Sequence, residues 1–309
     1  MEVAAAGGHN IVMSGTPGTG KTMLARRLPG ILPALRSTEA LTATKVHSVA
    51  GLLPRTAGLL RERPFRAPHH TGSATSLVGG GGIPRPGEVS LAHAGVLFLD
   101  ELPEFPRAVV ETLRQPLEDG FVTIARARQV VRFPSRFMLV AALNPCPCGW
   151  FGSRVHPCRC TAPQLQRYQS RLSGPLLDRI DIQIELHPLP PQLLRGLARG
   201  ESSMTVRQRV AQARARQTAR FAGLPQRTNA SVSMSAMRHR MPLHTDVHDV
   251  LLAALSSFGL SPRAHDRIWR VSATIADLDG ADTVGAEHIA EALQYRRFDQ
   301  IAHVQSQAD

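Results

Sequence analysis

The chain has no apolar run approaching eighteen residues in its 309, so no membrane-spanning helix is expected. Met1 to Asn10 holds one acid and no lysine or arginine, so it has no basic n-region, which argues against a secretory signal. Cysteine is scarce: four residues confined to positions 146–160, too few and too crowded for a disulfide scaffold. Lysine is scarcer still, since Lys21 and Lys45 are the only two and every other strong base is arginine. Acids fall short of bases, leaving a net charge of +12. That surplus favours a polyanionic partner such as nucleic acid, with arginine-rich composition lacking any binding role as the competing reading. What remains, 43% apolar and 19% charged residues, is a globular composition and not that of a disordered chain. A soluble, cytoplasmic protein of two parts is expected.

Short apolar runs alternate with amphipathic stretches as far as residue 188. Residues 11–14 read as a strand entering a glycine-rich turn and a helix from Lys21 to about residue 32. Residues 96–99 and 137–143 are unbroken apolar runs, as buried parallel strands would be, and 180–186 alternates like a strand. Three to five strands with intervening helices predict an α/β core over residues 1–188. His187-Pro-Leu-Pro-Pro-Gln192 breaks every pattern and reads as a boundary. Beyond it only helices are expected: a linker helix within 189–225, then a small helical lid domain over 226–309. The arginines 207, 209, 214, 216 and 220 stud the linker helix nearly all round, as on a solvated helix. In the lid, Ser261 and Pro262 cap a helix with Ile268, Val271, Ile275 and Leu278 on one face, and a last helix holds Ile289 and Leu293.

Gly15-Thr16-Pro17-Gly18-Thr19-Gly20-Lys21-Thr22, with Met23 following, fits the phosphate-binding loop. Its glycines let backbone N–H groups converge on phosphate oxygens at the positive end of a helix. Lys21 would reach the outer phosphates and the Thr22 hydroxyl would hold magnesium. That one of only two lysines stands here strengthens the reading. Val96-Leu-Phe-Leu-Asp100-Glu101 supplies a strand ending in two carboxylates, Asp100 beside the magnesium and Glu101 placed to polarise a water. Loop and carboxylate pair together point to hydrolysis of a nucleoside triphosphate.

Four further stretches are distinctive: Arg66-Ala-Pro-His-His-Thr71, Pro86-Gly-Glu-Val-Ser-Leu-Ala-His93, Asn144-Pro-Cys-Pro-Cys-Gly149 and Ser173-Gly-Pro-Leu-Leu-Asp-Arg-Ile-Asp181. With the phosphate loop and residues 96–105 they make the chain resemble the magnesium-chelatase-like AAA+ ATPases, most closely the competence-protein (ComM, YifB) family. The resemblance covers nearly the whole chain. It implies a hexameric ring, ATP with Mg2+ bound between subunits, and DNA threaded or remodelled in the pore. It matches Asn144 to the sensor that orients the lytic water, Arg179 to the arginine finger that reaches a neighbour's γ-phosphate, and Arg263 to the second sensor arginine of the lid. On residues alone, Arg179 between Asp178 and Asp181 reads as a surface ion pair, and Arg263 as a solvated arginine at a helix start. Members of the family carry a further N-terminal domain resembling that of Lon proteases; here the phosphate loop begins at Gly15, so that domain is missing from this sequence.

Cys146, Cys148, Cys158 and Cys160 form two Cys-x-Cys pairs in a loop spanning 144–162, able to surround one tetrahedral Zn2+, with His156 as a spare ligand. Chance clustering is the competing reading. His69 and His70 are adjacent, so their side chains are expected to diverge, which argues against a shared metal. Residues 124–136 alternate like a hairpin whose Arg126 and Arg128 project from one face. In the resembling family that hairpin faces the pore, where arginines would track DNA phosphates; an edge hairpin kept soluble by arginine is the alternative. Three functions follow: a DNA-acting ATPase motor, a chelatase-type motor driving magnesium insertion into a porphyrin, or a nucleotide-dependent switch with little turnover.

Overall fold

The apolar runs become the interior of one parallel sheet. The computed structural model describes residues 1–54, 56, 58–126, 129–153, 156–172, 174–188 and 200–296. Its five main strands are β1 (Ile11–Gly15), β2 (Phe65–Arg66), β5 (Val96–Leu99), β8 (Met138–Leu143) and β9 (Ile182–Leu186), in the order β2-β5-β8-β1-β9. Two short antiparallel pairs stand beside them, β3 (Gly79–Gly80) with β4 (Arg85–Pro86) and β6 (Phe121–Arg126) with β7 (Gln129–Pro134). Register is continuous across the centre: Ile11 pairs with Val140 and with Ile182, and Val96 pairs with Met138.

Every residue of β1, β5 and β8 is buried, as expected for strands covered on both faces. Alternation divides them between two cores. Val12, Leu97, Leu99, Leu139 and Ala141 face Leu113, Leu176 and Ile180. Ile11, Met13, Phe98, Met138 and Val140 face the helix Lys21–Ile31 and the C-terminal helices, through Leu28, Val210, Phe221 and Ile268. The helical part is thus continuous with one face of the sheet.

The helix Ser203–Arg220 departs from the solvated linker expected of it. It packs against the helices Glu2–Gly7, Lys21–Ile31 and Pro262–Leu278 and buries Val210, Ala213 and Gln217. Its arginines are partnered: Arg209 grips both oxygens of Glu2 (2.6 and 2.8 Å), Arg214 donates twice to the Ala5 carbonyl, and Arg220 spans the buried Asp277 carboxylate at 3.0 and 2.5 Å. Long arginine stems cover apolar surface while their heads reach carbonyls and carboxylates, so charge all round a helix does not imply solvent all round it. Residues 189–199, on which most of the predicted boundary falls, lie outside the described residues.

A buried polar chain joins the two parts. The fully buried His9 ring meets Asp181 (3.2 Å) and Thr274 (2.7 Å), Arg267 reaches the other Asp181 oxygen at 2.7 Å, and Asn229 donates to Thr274 and Asp277. Burial would raise the Asp181 carboxyl, but the Arg267 charge and the His9 hydrogen bond outweigh it and hold it well below the usual carboxylate range. Burial drives His9 towards its neutral form.

His93 is nearly buried, accepts a hydrogen bond from the Arg136 backbone N–H, and is pushed down to about 4, first by burial and then by the Arg136 charge. A folded-state value below the unfolded 6.5 means the unfolded chain takes up protons first as pH falls. The stability is present above pH ~6.5 and is lost as pH falls towards ~4, by about 2 kcal/mol at pH 5. Urea unfolding at pH 7 and pH 5 is expected to show that loss, and His93→Gln to flatten the pH dependence whatever it does to stability at pH 7.

Candidate nucleotide site at the strand ends

Because β1, β5 and β8 run parallel and side by side, their C-terminal ends open on one edge. β1 delivers the loop Thr16–Gly20, β5 delivers Asp100 and Glu101, and β8 delivers Asn144. Gly20, the residue before the helix Lys21–Ile31, has φ 85° in the left-handed region, which turns the chain into the helix without a Cβ penalty. The Lys21 ammonium donates to the carbonyls of Gly15 (2.5 Å) and Thr16 (3.1 Å) and to Asn144 Oδ1 (3.1 Å). Burial pushes the amine down from its usual value, against the opposing pull of Asp100 and Glu101. Thr22 donates its hydroxyl to Asp100 Oδ2 at 2.8 Å, bringing together the two side chains expected at magnesium. Met23, one residue on, is exposed.

Asp100 Oδ1 accepts the Glu101 backbone N–H at 3.1 Å, and Glu101 adopts the left-handed conformation (φ 54°, ψ 47°) with its carboxylate half exposed. Strain of this kind in a non-glycine residue collects at functional sites. His70 is the neighbour that sequence reasoning missed: its Nδ1 lies 3.4 Å from Glu101 Oε2. The His69 and His70 rings do not diverge as expected but lie 4.2 Å apart, because they follow β2 in a loop and not in an extended strand. The available signal was position, since β2 pairs with β5 and so brings the residues after it towards Asp100 and Glu101. Arg66 grips Glu88 through two bonds of 2.6 and 2.8 Å, joining two of the distinctive stretches.

Arg179 and Arg263 are not part of this cluster. Arg179 lies three residues before β9, level with the start of β1, so one strand length of roughly 15 Å separates it from the phosphate loop. It pairs with Glu118 and not with the flanking aspartates. Those go elsewhere, Asp178 to Arg263 (2.9 Å) and Asp181 to Arg267. Asn10 fixes this edge, donating to the Arg179 carbonyl and accepting from the Leu139 N–H. Arg126 donates to the Gly81 carbonyl at 3.1 Å, tying the β6–β7 hairpin to the loop between β3 and β4; Arg128 lies outside the described residues.

The four cysteine sulfurs lie within 4.8 Å of one another. Cys146–Cys148, Cys148–Cys158 and Cys146–Cys158 separations are 3.3, 3.6 and 3.8 Å. Tetrahedral zinc with Zn–S bonds of about 2.3 Å spaces its sulfurs by about 3.8 Å, so the set fits that ion. The Phe151 N–H donates to Cys146 Sγ, and backbone N–H groups of Arg159 and Trp150 pull the Cys148 thiol down to about 6. His156 stands outside the group, packed on Trp150.

A triphosphate fits the strand-end edge on two observations: the donor set of loop, helix start, Lys21 and Thr22, and Thr16 Oγ1, which is buried with no hydrogen-bond partner. Lys21→Ala is expected to weaken binding of a fluorescent ATP analogue by about tenfold or more, the scale of a lost charge-assisted hydrogen bond. Equilibrium titration checks it.

The sequence model for "Magnesium chelatase, subunit ChlI" matches residues 1–194, and that for "Magnesium chelatase, subunit ChlI C-terminal" matches residues 200–296. The uncharacterized protein YifB of Escherichia coli is 46% identical over 303 residues, 97% of this chain and 58% of that protein. Competence protein ComM of Haemophilus influenzae is 47% identical over 299 residues, 96% of this chain and 57% of its own length. An uncharacterized protein of Mycobacterium bovis is 47% identical over 298 residues, 96% and 59% of the two chains. The chain therefore spans a little under three fifths of the length of these relatives. Matches that run almost without a break from residue 1 to residue 296, on a parallel sheet with a helical C-terminal part, show that the chain belongs to the magnesium-chelatase-like family of AAA+ ATPases.

Proposed function

We propose that this chain hydrolyses ATP and drives a motor acting on DNA, of helicase or branch-migration type, in a ring of identical copies, hexameric on the family resemblance. The observation that carries the ATPase reading is the convergence of Lys21, Thr22, Asp100, Glu101 and Asn144 on one sheet edge. ATP with Mg2+ supplies the phosphoanhydride and the charge that neutralises its oxygens. Lys21, which donates to loop carbonyls, would turn to phosphate oxygens, and Thr22 and Asp100 would hold the metal. Glu101 accepts a proton from the attacking water while Asn144 orients it.

Arg179 stands at the opposite edge, so the reading requires a second copy to bring its Arg179 and Arg263 to this site. Arg179 would leave Glu118 for the phosphate as the copies close. The DNA reading is supported by the net charge of +12 and by the tethered pair of hairpins, which carries Arg126 beside the strongly exposed Ile83 and Val130. ComM is named a competence protein, which agrees with it.

The chelatase-type motor is the second reading, favoured by the description of the matched family itself. Hydrolysis measured with and without single-stranded and branched DNA, at two salt concentrations, separates the two. Stimulation that fades with salt is expected of the DNA motor, whereas indifference to DNA favours the chelatase type.

Glu101→Gln is expected to retain nucleotide and lose turnover. Arg179→Ala is expected to lower turnover by about 10³-fold or more with binding kept. Mixing the two inactive variants should restore part of the activity, since one supplies an intact Glu101 and the other an intact Arg179. Steady-state hydrolysis of the mixture is the measurement; a mixture as inactive as its components would count against a shared site.

A further inference from the structure

The cysteine centre and the phosphate loop are in direct contact. Gly149, the residue after Cys148, has φ 83°, and a Cβ there would stand 2.8 Å from both Cγ and Cδ of Pro17 in the phosphate loop. The Gly149 backbone is therefore seated on the loop with no room for a side chain. Cys146 is two residues beyond Asn144, whose amide oxygen takes the Lys21 hydrogen bond. On the far side of the second pair, Thr161 caps the helix Ala162–Gln169, which sends the buried Tyr168 back with its phenol against the Asn144 backbone. Among the described residues from Asn144 to Thr161 there is no helix and no strand. Turn hydrogen bonds such as Gly149 N–H to the Cys146 carbonyl, and N–H···S bonds to the sulfurs, are what shapes this segment.

We propose that Zn2+ held by Cys146, Cys148, Cys158 and Cys160 acts as a strut of the nucleotide pocket, pressing Gly149 against Pro17 and holding Asn144 at Lys21, so that nucleotide binding and turnover depend on zinc occupancy. This rests on the nucleotide-site reading above and adds its control. One ion closes the loop at both ends: the first Cys-x-Cys pair is anchored to β8 through Asn144, and the second to the helix that carries Tyr168. Without the ion, no helix or strand among the described residues holds the two Cys-x-Cys pairs together, and the loop relaxes away from Pro17. Displacements of about 1 Å at a site that aligns phosphates cost up to about 10²-fold in rate. The cysteines act as positioning residues: they set Asn144, which meets Lys21, and Pro17 of the phosphate loop, against which Gly149 rests.

The test uses the purified chain and reads zinc, nucleotide affinity and turnover separately. Elemental analysis is expected to give one zinc per chain, and close to none in the Cys158→Ser/Cys160→Ser double variant. Stripping zinc with a chelator is expected to weaken binding of the fluorescent ATP analogue on the order of tenfold or more. ZnCl2 should restore it and added MgCl2 alone should not. Gly149→Ala keeps all four thiols; it is expected to retain zinc and still lose affinity, and Pro17→Gly to reduce the dependence of affinity on zinc. Hydrogen exchange over residues 15–22 reports the same loosening without any activity assay and shows whether each variant is folded.

Zinc removed with affinity and exchange unchanged would overturn the strut while leaving the metal site standing. A folded chain that carries no zinc as purified would overturn the metal site and the strut together. Absence of turnover in the zinc-loaded chain, with zinc-dependent nucleotide binding intact, would count against the ATPase reading and leave the strut in place.

Discussion

Parallel pairing of β5, β8 and β1 is the constraint from which the site follows. Parallel strands end on the same edge, so residues 78 and 123 positions apart in sequence arrive at hydrogen-bond distance: Thr22 at Asp100, and Lys21 at Asn144. Three loops converge because three buried strands, apolar on both faces, have no other way to cover themselves than with helices on either side. The same pairing sends the starts of β1 and β9 to the far edge. There Asn10 and Asp181 gather Arg179, Arg267 and His9. One sheet thus separates Lys21, Thr22, Asp100 and Asn144 at one end of the strands from Arg179 and Arg267 at the other.

The interior resolves its charges in two ways. Asp181 is held well below the usual carboxylate range by Arg267 and His9 and ties the helical part to the sheet, while Arg220 and Asn229 meet the buried Asp277 within the helical part. The Arg214 and Arg270 guanidinium groups donate to backbone carbonyls instead and are pushed down by burial. An arginine-rich composition therefore serves packing in this fold, whatever part of the surplus charge meets a polyanion. The exposed Arg126 beside Ile83 and Val130 is the kind that can meet a partner; Arg214 is not.

Much of the site was legible from local pattern. The phosphate loop needs its glycines, lysine and threonine at fixed spacing because one turn of backbone makes the cradle, so Gly15 to Thr22 declares itself. Val96–Glu101 is legible because a buried strand must be apolar and must stop where carboxylates begin. The paired Cys-x-Cys motif likewise announced a cluster, and the four sulfurs do meet. His70 was not legible: nothing in two adjacent histidines says that β2 lies beside β5. The character of the helix Ser203–Arg220 was not legible either, because a helical wheel counts charges and does not show that Glu2, Ala5 and Asp277 wait for them.

Sequence by itself determined the chemistry on offer: a phosphate loop, a carboxylate pair and a sulfur cluster, each set by short-range spacing that backbone geometry enforces. It also determined the class of fold, since buried strands and amphipathic helices leave different periods. Only the tertiary structure decided which groups share an edge, that Arg179 and Arg263 lie across the sheet from Lys21, and that the cysteine loop rests on Pro17. Those facts depend on strand order and on contacts between distant segments, and strand order is set by how whole faces bury against one another, a property no local window contains.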